Sequence, residues 1–288
     1  MSEMNSEKSP GRVYVYPARE APIAVVLRRG PSEWTRMSVW RMDTDTFEHG
    51  QWLHARVYER RCDVSPDGSL FAYFTLKVAG GPDIDTDSWI AVSRPPYFTA
   101  LAMWGVGMTY CAGAYFVDDR TLFASWIEDA PDVGELPPWM RLTKDLPHAF
   151  RTTEWTDRIV FTNRLLAAGW RTSAPLDDLK AWWEHPSPDG ARVLTMLPIP
   201  DIWFDNYGGR HVEEYAFTDR DGGMVPLGRA TWADWDQRGR LLLAQDGRIV
   251  EWVEPGETRV IEDFNDQRPD PQPPPAWARE WPKQPLVR

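Results

Sequence analysis

The chain has 288 residues, 42% of them hydrophobic, which is enough to bury a large core within one all-β domain. Its net charge of −11 and pI near 5.0 argue against a nucleic-acid backbone or an anionic membrane surface as partner, since both would repel it. Cys62 and Cys111 are too few for a disulfide framework and read as buried free thiols; no apolar run spans a membrane, and the polar start MSEMNSEKSPGR is no secretory signal, so a cytoplasmic protein is expected.

Residues 1–11 read as a disordered lead-in, followed by a domain over 12–265 built of repeating units. The first unit, 12–55, has strands at 13–16, 23–28, 36–42 and 47–53, with Met37, Val39 and Arg41 alternating against their neighbours as an outer strand should. His49 and His54 flank Trp52 without the carboxylates or cysteines that a metal site would add. The second unit, 57–106, opens on DVSPDGSLFAYF at 63–74. Ser65-Pro66-Asp67-Gly68 suits a type I turn, and the run from Leu70 to Phe74, apolar on both faces, must lie between two other layers. The acidic loop that follows carries Asp83, Asp85 and Asp87, but an EF-hand would place glycine and glutamate where Ser88 and Arg94 stand.

The third unit, 110–174, starts with YFVDDRTLFASW and contains a proline- and charge-rich insertion at 128–151, anchored by Trp139, Met140 and Phe150 and expected to be an ordered lid. The segment RLLAAGWR at 164–171 suits either a helical end capped by Gly169 or a hairpin turning at Ala168-Gly169; the phase of the repeat favours the hairpin. The fourth unit, 180–229, repeats the turn in EHPSPDGARVLTML and has a long loop at 198–209 bearing Trp203, Asp205 and Tyr207. The fifth, 230–264, reads ADWDQRGRLLLA and then turns tightly at Gln245-Asp246-Gly247. A tail at 266–288 holds seven prolines and favours polyproline II, with Trp277 and Trp281 placed to dock it on the domain.

The turn anchors Glu20, Asp67, Asp119, Asp189 and Arg238 fall 47, 52, 70 and 49 residues apart, the spacing of propeller blades with one insertion. On these hairpins the chain resembles the WD-like β-propeller repeat proteins, with the flavour of uncharacterised bacterial propellers, over about 13–264. The resemblance implies an all-β, five-bladed β-propeller of four-stranded antiparallel blades and a habit of binding partners, and it implies no reaction. No unit carries the glycine-histidine and tryptophan-aspartate pairs of eukaryotic WD repeats. The seventeen tryptophans suit packing between radially arranged sheets.

If the phase holds, the loops at 29–34, 79–88, 128–151 and 198–209 project from one end and present Trp34, Asp85, Trp139, Trp203, Asp205 and Tyr207. Exposed aromatics on rigidly held loops make binding anchors, so the expectation is a non-catalytic scaffold for a protein partner. The alternative is a small ligand or glycan held as in carbohydrate-active propellers, using a carboxylate pair among Asp63, Asp118, Glu184, Asp234 and Asp236 near inner-strand ends. No cofactor or metal is expected. The five histidines form no zinc motif, and nucleophile elbows and phosphate loops are absent from the sequence.

Overall fold

Local chemistry sets the hairpins. Ser65 Oγ donates to Asp67 Oδ1 (2.6 Å) and accepts from Leu70 N–H (2.9 Å), while Asp67 Oδ1 also accepts from Ser69 N–H (2.8 Å) and Gly68 takes φ of +78°. Ser187, Asp189, Ala191 and Arg192 repeat those bonds, with Gly190 at +68°. In the last copy Asp236 takes the place of the serine and accepts from the N–H groups of Arg238 (2.9 Å) and Arg240 (2.8 Å). Each turn thus bonds much of its own backbone locally.

The computed structural model describes residues 10–30, 33–77, 86–125, 127–148, 156–176, 178, 181–197 and 212–283. Among them the chain is all-β, with five sheets. The first is a four-stranded meander, β1 (Arg12–Pro17), β2 (Ile23–Arg29), β3 (Trp34–Arg41) and β4 (Thr46–His54). In the second, β5 (Arg56–Val57) and β6 (Asp63–Val64) both pair with β7 (Phe71–Leu76), on either side of a 3-10 turn at Glu59–Arg61. That sheet continues through β8 (Ser88–Ser93) and β9 (Ala100–Gly105). The third sheet joins β10 (Ala114–Asp118) to β11 (Thr121–Ala124). The insertion then sends β12 (Val133–Gly134) back onto β9 and lays β13 (Arg141–Thr143) parallel to β11. After α1 (Thr156–Ala167) the fourth sheet runs β14 (Arg171–Thr172), β15 (Trp183–Pro186), β16 (Val193–Leu197), β17 (Glu213–Thr218) and β18 (Met224–Ala230). The fifth is a meander of β19 (Trp232–Trp235), β20 (Leu241–Gln245), β21 (Arg248–Glu254) and β22 (Glu257–Asp263). Strand numbers of four, six, three, five and four replace the uniform four expected, because the insertion adds to one sheet and truncates the next.

The sheets pack face to face. In β7, alternate residues go to opposite cores: Phe71 and Tyr73 meet Tyr14, Leu27 and Met37 of the first sheet, while Ala72 and Phe74 meet Phe116 and Leu122 of the third. Trp183, Leu194 and Phe217 of the fourth sheet share a core with Trp235 and Leu241 of the fifth. On its other face the fifth sheet buries Leu242 and Ile249 against Val13, Val26 and Trp40 of the first. The turns touch in sequence as well. Glu20 N–H donates to Pro66 O (2.9 Å), Asp67 N–H to Asp119 Oδ1 (2.9 Å), and Arg192 Nη2 to Gly239 O (3.1 Å). These turns therefore gather at one end.

Between the third and fourth sheets stands α1, whose C-terminal half and cap occupy the segment at 164–171 where a hairpin was expected. Val160 packs with Tyr115 and Phe123 of the third sheet, and Phe161, Leu165 and Leu166 pack on the fourth-sheet core. The C-terminus closes as a Schellman motif: Gly169, at φ +92°, donates to Leu166 O (3.1 Å) and Trp170 N–H to Leu165 O (3.0 Å). Good helix formers and a capping glycine override a repeat phase that the insertion has already broken. No helix among the described residues is long and apolar enough to cross a membrane.

The proline-rich tail docks on the domain. Arg94 lies over the Trp277 ring (4.8 Å) and donates to its carbonyl (2.8 Å), and Tyr97 meets the same ring edge-on. Trp281 Nε1 donates to Glu135 O (2.9 Å), with its ring edge-on to Trp139. Cys62 and Cys111 are buried free thiols, and burial pushes Cys62 up to about 12, so it stays protonated.

Candidate functional site

A cavity of about 270 Å³ lies where β1, the Glu59–Arg61 turn, β6, α1, β15 and β19 converge. The repeat explains what reaches it. Two residues before each turn stand Asp63, Phe116, His185 and Asp234, on β6, β10, β15 and β19 of the second to fifth sheets. At this tier one sheet bonds the next: Asp63 Oδ2 accepts from Phe116 N–H (2.9 Å), and His185 Nδ1 lies 2.6 Å from Asp234 Oδ1.

Further ion pairs brace the wall between sheets. Arg29 meets Glu59 at 2.6 Å, Arg60 meets Glu213, and Arg164 of α1 reaches Asp63 at 3.7 Å. Arg164 also lies 4.4 Å over Tyr16, and Arg60 lies 4.6 Å over Phe161. From the first hairpin Arg19 crosses to the third sheet, donating to Tyr115 Oη (2.7 Å) and to Phe116 O. Burial pushes the Asp63 carboxyl up to about 6, against the opposing pull of Arg164, Arg19 and the Phe116 N–H. The lining holds five carboxylates, of Glu59, Asp63, Glu213, Asp234 and Asp236, and three guanidiniums, of Arg19, Arg60 and Arg164, while Arg29 and Arg240 pair with Glu59 and Asp236 from outside it.

Two of these carboxylates differ in what they are free to do. Asp236 gives Oδ1 to its turn and Oδ2 to Arg240 Nε (2.7 Å); Arg240 in turn grips Asp45 at 2.7 and 2.9 Å, which clamps the fifth sheet to the first. Asp234 instead pairs with His185. Its Oδ1 also accepts from Trp235 N–H (2.8 Å) and its Oδ2 from Trp170 Nε1 (3.4 Å), while the Trp170 ring lies 5.2 Å from His185. His185 Nε2 has no hydrogen-bond partner among the described residues. A Cβ on Gly169 would stand 3.3 Å from that nitrogen, so Nε2 faces the glycine that caps α1.

The sequence-derived anchors lie elsewhere. Trp34 opens β3 and stacks on His54 (4.6 Å); Trp139 sits half-buried beneath Trp281. Asp85, Trp203, Asp205 and Tyr207 fall outside the described residues. Of the inner-strand carboxylates, Asp63, Asp234 and Asp236 line the cavity, whereas Asp118 and Glu184 do not. Sequence reasoning missed His185, Trp170, Arg164 and Glu213 as parts of one site. The signal for His185 was present: it holds the same place before Ser187 that Asp63 holds before Ser65. Among the described residues no group of three or more His, Cys, Asp or Glu side chains is arranged to hold a metal.

No family model matches the chain, and no curated protein matches it. Among solved structures it is similar to the uncharacterised protein lmo1340 of Listeria monocytogenes, at 10% identity and a TM-score of 0.31, covering 91% of this chain and 85% of that one. It is also similar to an acylaminoacyl peptidase of Pyrococcus horikoshii, at 10% identity and a TM-score of 0.34, covering 88% of this chain and 53% of that one. A puromycin hydrolase matches at 12% identity and a TM-score of 0.21, with 88% and 39% covered. Overlaps this loose carry no argument about fold or function.

Proposed function

We propose that the five sheets are blades of a five-bladed propeller that binds a compact polar molecule in its central cavity. The ring reading is supported by the cores that join first to second, second to third, fourth to fifth and fifth to first sheets, with α1 filling the remaining joint. The observation that carries the binding reading is the cavity itself. Its walls combine aromatic side chains such as Tyr14, Tyr16, Trp170 and Trp235 with charged groups. Ligand pockets typically run from about 300 to 1,000 Å³, so this one suits a small occupant such as a sugar unit, a polyol or a short ester. Two buried free thiols fit a reducing compartment and with it a cytoplasmic protein.

A thermal-shift panel of monosaccharides, polyols, amino acids and short esters tests the binding reading, run on the wild type and on Ala168→Trp. Ala168 lines the cavity at the end of α1, and a tryptophan there should fill it. We expect a stabilising member of the panel whose effect disappears in the filled variant. A panel that shifts neither protein, or shifts both alike, overturns the cavity as the binding site.

A second reading, a scaffold for a protein partner, draws on the opposite end from the gathered turns. Antiparallel alternation puts Tyr110, between β9 and β10, and Trp182, just before β15, at that end, where they are 76% and 45% exposed. A Tyr110→Ser, Trp182→Ser double variant of unchanged stability should lose a partner that wild type captures from native lysate. Equal capture by both proteins removes this face from consideration.

A further inference from the structure

We infer that the cleft between the corner at Arg94–Tyr97 and the insertion segment at 133–142 is a docking surface for proline-rich peptides, which the chain's own tail occupies as an exchangeable ligand. The domain side of the contact is built without the tail. Tyr97 N–H donates to Arg94 O (2.9 Å), while Gln51 of β4 donates its N–H to Pro96 O (2.9 Å) and accepts from Phe98 N–H at Oε1 (2.8 Å). The insertion is held by β12 on β9 and by Asp132 N–H donating to Met103 O (2.9 Å). None of these bonds uses a tail residue, so the surface keeps its shape when the tail leaves.

The tail, for its part, is not a strand of any sheet. Among the described residues no backbone–backbone hydrogen bond joins 268–283 to the domain; Ala278 and Glu280 donate to Pro275 O and Trp277 O, within or beside the 3-10 turn at Ala276–Arg279. Residues 268–275 include five prolines and are exposed as far as 273, which makes a stiff tether. Side chains do the joining. Arg94 donates to the carbonyls of Trp277 (2.8 Å) and Glu280 (3.3 Å) while its guanidinium covers the Trp277 ring. Tyr97 stands edge-on to Trp277 at 5.3 Å and Trp139 edge-on to Trp281 at 5.9 Å, with the Trp281 indole N–H given to Glu135 O. Ala278 is fully buried, so the residue after the first tryptophan must be small. A preformed surface of aromatic rings that takes an extended proline-rich segment is a recurring mode of peptide recognition. The pattern read here is a proline run followed by two tryptophans four residues apart.

The probe is a fluorescein-labelled peptide of residues 270–283, followed by anisotropy with three full-length proteins. These are wild type, Trp277→Ser with Trp281→Ser, and that double variant with Arg94→Ala added, each shown to be folded by circular dichroism. A short tether presents its ligand at about millimolar effective concentration, so a peptide of ~10–100 µM affinity should bind the double variant about 10- to 100-fold more tightly than wild type. Adding Arg94→Ala should abolish that binding. A double variant that ignores the peptide, or equal binding by wild type and double variant, overturns the inference. So does a wild type that is dimeric and becomes monomeric in the double variant, which would give the cleft to the tail of a second copy. Hydrogen exchange of wild type needs no substitution. The Ala278 and Glu280 amides should exchange far faster than those of β8 and β9, and protection equal to those strands would mean that the tail leaves only on global unfolding, which overturns exchange.

Discussion

Replacing Trp40 by alanine should destabilise the protein by about 3–5 kcal/mol, the usual cost of emptying a large aromatic site in a packed core. Trp40 is fully buried where the fifth sheet meets the first, stacked on Phe47, which itself meets Phe264 edge-on. Among the described residues no other core cluster joins these two sheets, the first and last in the chain, so the cavity should loosen the contact between them. The indole N–H adds a second expectation. Trp40 Nε1 is buried without a hydrogen-bond partner among the described residues, and such a group costs about 1–3 kcal/mol. Trp40→Phe removes that liability with the lost area, so it should cost far less than Trp40→Ala. Chemical denaturation of the two variants decides the matter, and equal losses would mean that the indole shape, not its unpaired donor, governs the site.

Exchanging Asp63 for asparagine should raise stability at pH 8 and flatten its dependence on pH. The folded carboxyl is raised from its ordinary 3.8 to about 6, chiefly by burial. The sign follows from linkage: protonated Asp63 contributes stability that is fully present below pH 3.8 and is lost as pH rises through about 6. At about 1.4 kcal/mol per unit, the two-unit difference amounts to about 3 kcal/mol. Asparagine keeps the acceptor for Phe116 N–H without the buried charge, but it also leaves Arg164 and Arg19 without that carboxylate, so the gain at pH 8 should fall below the full figure. Urea titrations at pH 5 and pH 8 compare wild type with the variant. If wild-type stability does not fall relative to the variant between those values, the carboxyl is ionised in the folded protein at both, and the account of its burial fails.

Much of the hairpin chemistry was legible because its bonds span only a few residues. Ser65 and Asp67, or Ser187 and Asp189, satisfy one another wherever the chain places them, and an apolar run such as Leu70 to Phe74 declares burial on both faces. The hairpin expected at Ala168-Gly169 went wrong for a related reason: Leu165, Leu166 and Ala167 state a local preference for helix, and the reading let the repeat phase overrule it. The aspartates lining the cavity were visible as residues near inner-strand ends, but their roles were not. Nothing local distinguishes Asp236, held by Arg240 as a clamp, from Asp234, which pairs with His185.

The sequence alone determined the turns, the strand runs and an acidic, tryptophan-rich, all-β chain, since propensity, periodicity and composition act over short stretches. Only the tertiary structure decided that α1 stands between the third and fourth sheets, and that the tail lies under Arg94 and against Trp139. It also decided that His185, Asp234, Trp170, Asp63 and Arg164 share one cavity. Those meetings join residues far apart in the chain, 49 positions in the pair His185–Asp234 and 183 in Arg94–Trp277. They exist because each sheet must bury two apolar faces, and that demand, not any local preference, sets which strands converge.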